Sequence, residues 1–508
     1  ALAVTLPRAG NIGGGGFMLV YDAATDTSTA IDYREMAPKQ ATRDMFLDAA
    51  GKADRDRALN SHKSSGVPGT VAGLYLAHEK FGRLPWRKLL EPAIALARDG
   101  FVVSFDQETK FASSRDRLCR QQASCTYFYK PGGVPYVAGE RLVQTDLAHT
   151  LQVIADDGAD AFYRGEIADR IVAEMAAGDG LIDKASLAAY RPVLREPVRG
   201  NYRGYEIVAM PPPSSGGVHV IQMLNILEHF PLGEFGEGSA DEVHVLAEAM
   251  RLAYADRSKY LGDPGFYEVP VDWLTSKAYA AQLAKTIDMK QARRSSDVLP
   301  GKPPPHESME TTHFSIVDVD GNVVSNTYTL NLSYGSGISV PGAGFLLNDE
   351  MDDFVSKPGV PNAYGLLGGE ANAIEAGKRP LSSMTPVIVF ANGRPWFATG
   401  SPGGSRIITT VLQMIVNVVD HHMNIAAAES RPRMHHQWWP DQLLLEDGYS
   451  PDTVRLLEAR GHHVKLVPSL ETSLQSVAIE SGLFEGASDP RRPDGASVAP
   501  ASIAGRGD

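Results

Sequence analysis

Strand-like runs alternate with helical ones from end to end of this 508-residue chain, which predicts a mixed α/β (α+β) fold. Two further observations point to a large water-facing globule. Hydrophobic residues make up 43% and charged residues 21%, enough apolar side chain for a sizeable core. The most apolar stretch, residues 407–419, is too short to cross a membrane and carries Thr, Gln and Asn, so it reads as a buried helix. The net charge of -13 argues against a nucleic-acid surface, which needs clustered Lys and Arg. It does not constrain a small-molecule site, because a local field can oppose the global sign.

The chain starts at Ala1, without Met, in sequence that already reads as structured, so an earlier segment is expected to have been removed or left out. Gly13 to Gly16 have the look of a nucleotide loop, but a strand over residues 17–21 follows them, which disfavours a dinucleotide site. Residues 70–80 and 86–98 read as helices. Cys119 and Cys125 bracket CRQQASC, a spacing that suits a small disulfide loop in an oxidising compartment; two free thiols are the alternative. Ser239 and Glu242 predict a capping box, and Val243, Leu246, Ala247, Met250 and Tyr254 follow at helical spacing. Residues 290–310 (KQARRSSDVLPGKPPPHESME) are rich in Pro, Ser and charge, and predict an exposed, mobile linker. By composition alone that linker reads as a domain boundary.

The chain then turns strand-like at Thr311. Two β-rich runs flank Asp320-Gly321-Asn322, a hairpin signal. With those three as the loop, Val319 pairs with Val323, Thr311 stands opposite Asn331, and Thr329 lies diagonal to Thr311 on the same face. The second strand carries Ser325, Thr327, Thr329 and Asn331 at period two, a row of small polar groups. Such a row is often a solvated sheet face. Here it leads back to a threonine that follows a linker.

Ser401-Pro402-Gly403-Gly404-Ser405 precedes an apolar helix starting near Arg406, and Pro213-Ser214-Ser215-Gly216-Gly217 precedes one from Val218. A glycine pair at a helix start leaves backbone N–H groups able to face an anion, as in an oxyanion hole. Other familiar chemistries fail. No G-x-S-x-G elbow and no H-E-x-x-H motif is present, and the pairs His421-His422, His435-His436 and His462-His463 place neighbours on different faces.

Several motifs together resemble one family. Thr311-Thr312-His313-Phe314-Ser315-Ile316-Val317-Asp318 resembles the start of the small subunit of gamma-glutamyltransferases. The likeness continues through Asn348-Asp349-Glu350-Met351-Asp352-Asp353-Phe354, Lys357-Pro358-Gly359-Val360-Pro361-Asn362, Arg379-Pro380-Leu381-Ser382-Ser383-Met384 and Gly400-Ser401-Pro402-Gly403-Gly404-Ser405-Arg406. Upstream, Gly10 to Phe17 and Asp32-Tyr33-Arg34-Glu35-Met36-Ala37-Pro38 resemble the large subunit.

The resemblance implies a four-layer αββα sandwich of the N-terminal-nucleophile hydrolase type, made as a precursor that cleaves itself between Glu310 and Thr311. It implies a large subunit over 1–310 and a small one over 311–508, both building one intertwined domain. Thr311 would be the nucleophile, with its freed α-amino group as base, because a threonine hydroxyl is weak until something takes its proton. Thr329 would hydrogen-bond Thr311 and assist the cut. Arg34, Ser382 and Ser383 would hold the α-carboxylate of a gamma-glutamyl group, and Asn331, Glu350 and Asp353 its α-ammonium. Gly403 and Gly404 would stabilise the oxyanion. Residues 358–365, with Tyr364, resemble a lid loop. Glu350 stands where some bacterial members have Gln.

The donors implied are glutathione and other gamma-glutamyl compounds, and the acceptors water, amino acids or peptides. No cofactor, metal or nucleic-acid partner is implied, and the compartment implied is the periplasm or the outside of the cell. The alternatives are a cephalosporin (glutaryl) acylase of the same fold, which would not need an ammonium site, and a non-catalytic periplasmic binding protein. Without partners, Arg34 reads as an ion pair with Glu35 or Asp32. Trp438-Trp439 in HHQWWP carries one ring more than members often have, read as core packing or as lining on the acceptor side.

Overall fold

The computed structural model describes residues 1–298, 311–357, 359–480 and 482–499. Glu310 and Pro358, both singled out above, lie outside them. Two antiparallel sheets stack face to face. Before the Thr311 junction the chain supplies β1 (Gly15–Asp22), β2 (Thr27–Tyr33), β3 (Val193–Arg195), β4 (Val198–Tyr202) and β5 (Tyr205–Ala209). After it come β6 (Thr312–Val317), β7 (Val323–Thr329), β8 (Val387–Ala391), β9 (Arg394–Thr399), β10 (Gln475–Glu480) and β11 (Leu483–Ser488). One sheet runs β6-β7-β1-β2-β3 and the other β11-β10-β9-β8-β5-β4. Each sheet therefore mixes strands from both sides of the junction.

Period-two alternation decides which side chains meet. On β1, Phe17, Leu19 and Tyr21 face the second sheet and join the core that holds Val387, Val389 and Phe397. Met18 and Val20 face outward with Ile31, Tyr33 and Tyr328, where Leu74, Ala77 and Phe81 of helix α1 (Thr70–Phe81) cover them. A second long helix, α2 (Trp86–Asp99), follows where expected. On the far side, α3 (Gly216–Leu227) packs on the six-stranded sheet, and α4 (Ala240–Tyr260) and α5 (Arg406–Val419) pack on α3. Every residue of α3 and α5 is buried. The order helix, sheet, sheet, helix is the αββα sandwich. Gly15 and Gly16 are where β1 passes tightly between its neighbours: a Cβ on Gly16 would lie 2.5 Å from the carbonyl oxygen of Thr327.

Three expectations are corrected. The hairpin loop is two residues longer than its turn signal suggested. Val317 pairs with Val323 and Thr312 with Tyr328, so Thr311 comes opposite Thr329, not Asn331. The Asp318 carboxylate accepts the N–H groups of Asp320 and Asn322, which takes Asp318 and Val319 out of the ladder. Because the shift is two residues, the polar row keeps its face.

The capping box is half formed. Ser239 accepts the Glu242 N–H at 3.2 Å, but the Glu242 carboxylate accepts from Gly238 N–H and His421 Nε2.

The linker reading holds only in part over residues 290–298: Lys290, Gln291, Arg294, Ser296 and Asp297 are exposed, but Ala292, Ser295 and Val298 are buried. Ser295 is fully buried; its N–H reaches Asp441, its hydroxyl accepts from Arg251, and its carbonyl, with that of Val298, accepts from the Trp438 indole. Buried partners elsewhere satisfy a segment whose composition reads as solvated. Trp438 is thus core, as one of its two readings had it. Cys119 and Cys125 are joined as a disulfide.

Candidate active site

Thr311 sits at the head of β6, 5% exposed, between the sheets. Its Oγ1 lies 3.3 Å from Thr329 Oγ1, its cross-strand neighbour, and Thr329 Oγ1 also accepts the Asn331 N–H at 2.9 Å. Asn331 is in left-handed backbone, φ 78°, which Asn tolerates better than most side chains. That turn carries the chain off β7, and its Nδ2 donates to Asp349 O at 3.0 Å. His313, two residues on, lies 2.8 Å from Thr327 Oγ1 and 3.0 Å from Ser315 Oγ, and burial lowers its imidazole to about 3, so it is neutral.

Thr311, Thr329, Glu350, Asp353, Tyr364, Ser382, Ser383 and Gly404 line one cavity of about 20 Å³, space for roughly one water. Thr311 also lines a larger cleft of about 810 Å³ along β6, shared with Pro402, Ser473 and Gln475. Eight of the residues singled out from the sequence thus converge on one small space, although they come from segments far apart in the chain.

The glycine pair stands at the start of α5. Gly403 and Gly404 have φ of 133° and 53°, backbone that favours glycine. A Cβ on Gly404 would lie 2.4 Å from the Tyr364 ring, and one on Gly403 2.5 Å from Thr472 Cγ2. Neither N–H donates to another described residue. Gly404 lines the cavity with Thr311, and an unspent N–H beside a hydroxyl is the kind of donor that can stabilise an oxyanion. Tyr364 lines the cavity beside Gly404; its hydroxyl donates to Asn331 O at 2.9 Å and its backbone O accepts from Gln437.

Arg34 is fully buried and ringed by acids. Its Nη1 donates to Glu350 and, at 3.3 Å, to Glu35; its Nη2 donates to Asp353, and its Nε to Pro380 O at 3.2 Å. Of its two bland partners only Glu35 pairs with its guanidinium. Asp32 takes Arg195 and Arg379 instead, and accepts only the Arg34 backbone N–H. Burial opposes the Arg34 charge, but Glu350, Asp353 and Glu35 hold it protonated above its usual range. Burial likewise pushes Glu350 and Asp353 up, against the pull of Arg34. Asp349 is raised to about 8 by burial, which Arg117 and the Leu332 N–H only partly offset. Four buried acceptors here, Glu35 Oε1, Asn331 Oδ1, Asp349 Oδ2 and Glu350 Oε2, have no protein partner among the described residues.

Sequence reasoning missed Arg257 of α4, which donates to Ser215 Oγ at 2.9 Å and to Ser383 Oγ at 3.1 Å. It belongs to no motif, and only its place one turn before the end of a buried helix could have drawn notice. Among the described residues no group of three or more His, Cys, Asp or Glu side chains is arranged to hold a metal ion.

The profile of the gamma-glutamyltranspeptidase family matches residues 1–499. The glutathione hydrolase proenzyme of Escherichia coli (strain K12) is 53% identical over 496 residues, covering 97% of this chain and 85% of that one. Among solved structures, cephalosporin acylase from Bacillus halodurans superposes with a TM-score of 0.85 at 28% identity, over 97% of this chain and 88% of its own. Gamma-glutamyltranspeptidase of Helicobacter pylori superposes with a TM-score of 0.58 at 44% identity, over 61% of this chain and 88% of that chain.

Proposed function

The chain belongs to the gamma-glutamyltranspeptidase family, and from that membership we propose that it transfers gamma-glutamyl groups from glutathione and related donors through an ester on Thr311. The observation that carries this reading is the convergence on one cavity of a buried threonine hydroxyl, a second threonine, the glycine Gly404, a serine pair and two acids. The chain is then a precursor cut between Glu310 and Thr311, giving a large subunit of 1–310 and a small one of 311–508.

The chemistry follows from what each group can do. In the uncut chain the Thr311 nitrogen is an amide. Freed, it is an α-amino group with a reference pKa of about 8, able to take the Thr311 Oγ1 proton near neutral pH. Oγ1 attacks the gamma-carbonyl carbon, and the oxygen that becomes negative faces the N–H groups of Gly403 and Gly404. The C–N bond breaks, the amine leaves with the proton, and the gamma-glutamyl group stays as an ester on Thr311. Water or an acceptor amine then attacks that ester and frees Thr311. The cleft of about 810 Å³ gives the leaving amine and the acceptor room beside Thr311.

At the far end of the donor, Asn331 Oδ1, Glu350 and Asp353 offer acceptors for an α-ammonium. Arg34, Ser382 and Ser383 offer donors for an α-carboxylate. Binding requires Arg34 to exchange acid partners for substrate, since the cavity in this conformation is too small for a gamma-glutamyl group. Tyr364 and its loop would shut behind the donor. The disulfide supports a place in the periplasm or outside the cell.

The test is intact mass spectrometry with N-terminal sequencing, followed by gamma-glutamyl-p-nitroanilide as donor. We expect two fragments, one beginning Thr-Thr-His-Phe, from an active wild type, and a single inert chain from Thr311→Ala. A stable single chain from the wild type would sink the reading. The rival is a glutaryl-cleaving acylase. Asn331, Glu350 and Asp353 speak against it, because glutaryl has no ammonium to match three acceptors; faster release from glutaryl-p-nitroanilide would favour it.

A further inference from the structure

Behind the serine pair lies Arg257, 5% exposed, to which nothing above assigns a task. Two other buried arginines nearby have acids: Arg34 has Glu350, Asp353 and Glu35, and Arg379 has Asp32. Arg257 has two serine hydroxyls and, among the described residues, no carboxylate within ion-pair distance. Burial lowers its guanidinium to about 10, with Tyr254 and Asp353 opposing the fall and Arg34 adding to it, so it stays charged at neutral pH. A buried cation without a counter-ion is costly, and folds keep one where an anion is to be met.

The hydrogen-bond directions say where that anion belongs. Arginine has donors and no acceptor, so Ser383 Oγ must accept from Arg257 and direct its own proton elsewhere. Ser382 Oγ accepts the Met384 N–H at 3.1 Å, with the same result. Neither hydroxyl has an acceptor among the described residues, and both residues line the cavity with Thr311. Ser215 completes the frame: it accepts from Arg257 and donates its own hydroxyl to Ser382 O at 2.7 Å. Two O–H donors are left for the cavity, with a positive charge behind them.

We propose that Arg257 is a positioning residue for donor specificity, which sets the Ser382 and Ser383 hydroxyls as donors and supplies the charge that makes this end of the cavity select a carboxylate. The inference rests on the gamma-glutamyl reading and adds a cation behind the serines to Arg34 among the acids. Arg34 is neutralised by carboxylates; Arg257 is not.

Two donors separate this role from a purely structural one. Gamma-glutamyl-p-nitroanilide carries the α-carboxylate, and 4-aminobutanoyl-p-nitroanilide is the same molecule without it. In Arg257→Met, KM for the first is expected to rise about tenfold or more with kcat changed by less than about threefold, because binding is lost equally in ground and transition states. The kcat/KM for the second is expected to stay within about twofold of wild type. Arg257→Lys keeps the charge but cannot span Ser215 and Ser383, so it lowers the preference for the carboxylate-bearing donor by roughly threefold or more. That variant decides the matter if Arg257→Met does not mature. Equal loss on both donors, or an unchanged preference in Arg257→Lys, would overturn the proposal alone. A wild type inert toward gamma-glutamyl-p-nitroanilide would overturn the activity, and this inference with it.

Discussion

Asp349 shows how a single buried carboxyl can make the whole molecule sensitive to pH. Its Oδ1 accepts the Leu332 N–H at 3.1 Å, while its Oδ2 has no partner among the described residues. Burial therefore favours the protonated form and raises it to about 8, from an unfolded value near 3.9. A raised carboxyl contributes stability that is complete below its unfolded pKa and is lost as pH rises through the folded one. Between about pH 4 and pH 8 the native state holds a proton that the unfolded chain has released, so this group alone costs about 1.4 kcal/mol of stability per pH unit. Asp349→Asn keeps the shape and removes the titration. Urea melts at pH 6 and pH 8 should show a smaller loss on raising the pH in the variant than in wild type, and an equal loss would sink the argument. The sequence made Asn348-Asp349-Glu350 visible as a motif, but not which of its acids would be neutral. That depends on what surrounds each one in space. Arg257 was hidden for the same reason: on a helix face it looks like any other arginine, and only the serines from two other segments give it a meaning.

The hairpin of β6 and β7 was legible as an element and wrong in its register. Turn residues at Asp320-Gly321-Asn322 were read correctly as turn, but the side chain of Asp318 draws its own neighbours into the loop, and local propensity does not count such bonds. The corrected register strengthens the functional case, because it sets Thr311 and Thr329 as direct partners. Thr329→Val keeps the shape and removes the hydroxyl. It leaves the buried Asn331 N–H without its acceptor, a loss of about 1–3 kcal/mol, and takes away the group 3.3 Å from the nucleophile. Conversion of freshly purified precursor to two fragments, followed by gel densitometry, is expected to slow by roughly tenfold or more, on the scale of one catalytic hydrogen bond. A melting point lowered with unchanged conversion would reduce Thr329 to a packing residue. The helices were more legible than the strand register, because their length and apolar content are local: α4 carries apolar residues at the 3.6-residue period, and α5, buried all round, shows as a continuous apolar run.

At the scale of the molecule, a cut before Thr311 would divide the chain without dividing the fold. The five-stranded sheet places β6 and β7 beside β1, and the six-stranded sheet places β8 beside β5. Each ladder thus crosses the proposed subunit boundary through backbone hydrogen bonds in a buried layer. The core between the sheets draws Phe17 and Leu19 from one side of the boundary and Val387 and Phe397 from the other. Neither piece could cover its apolar surface alone, so the cut product should behave as an obligate pair. Composition pointed to a domain boundary at 290–310 because Pro, Ser and charge usually mark one. What it could not register is that Trp438, Asp441 and Arg251 hold Ser295 and Val298 in buried positions from outside the segment. The cut protein is therefore expected to run as one species in gel filtration and native mass spectrometry at neutral pH, and to split only in denaturant. Separation of the two fragments without denaturant would mean that the sheets do not hold across the junction, and the reading of one intertwined domain would fall with them. Retention as one particle would in turn explain how the α-amino group of Thr311 can be released inside a site already assembled: the junction is opened while both ladders stay paired, so the new base appears beside Thr329 and the glycine pair without any subunit having to dock.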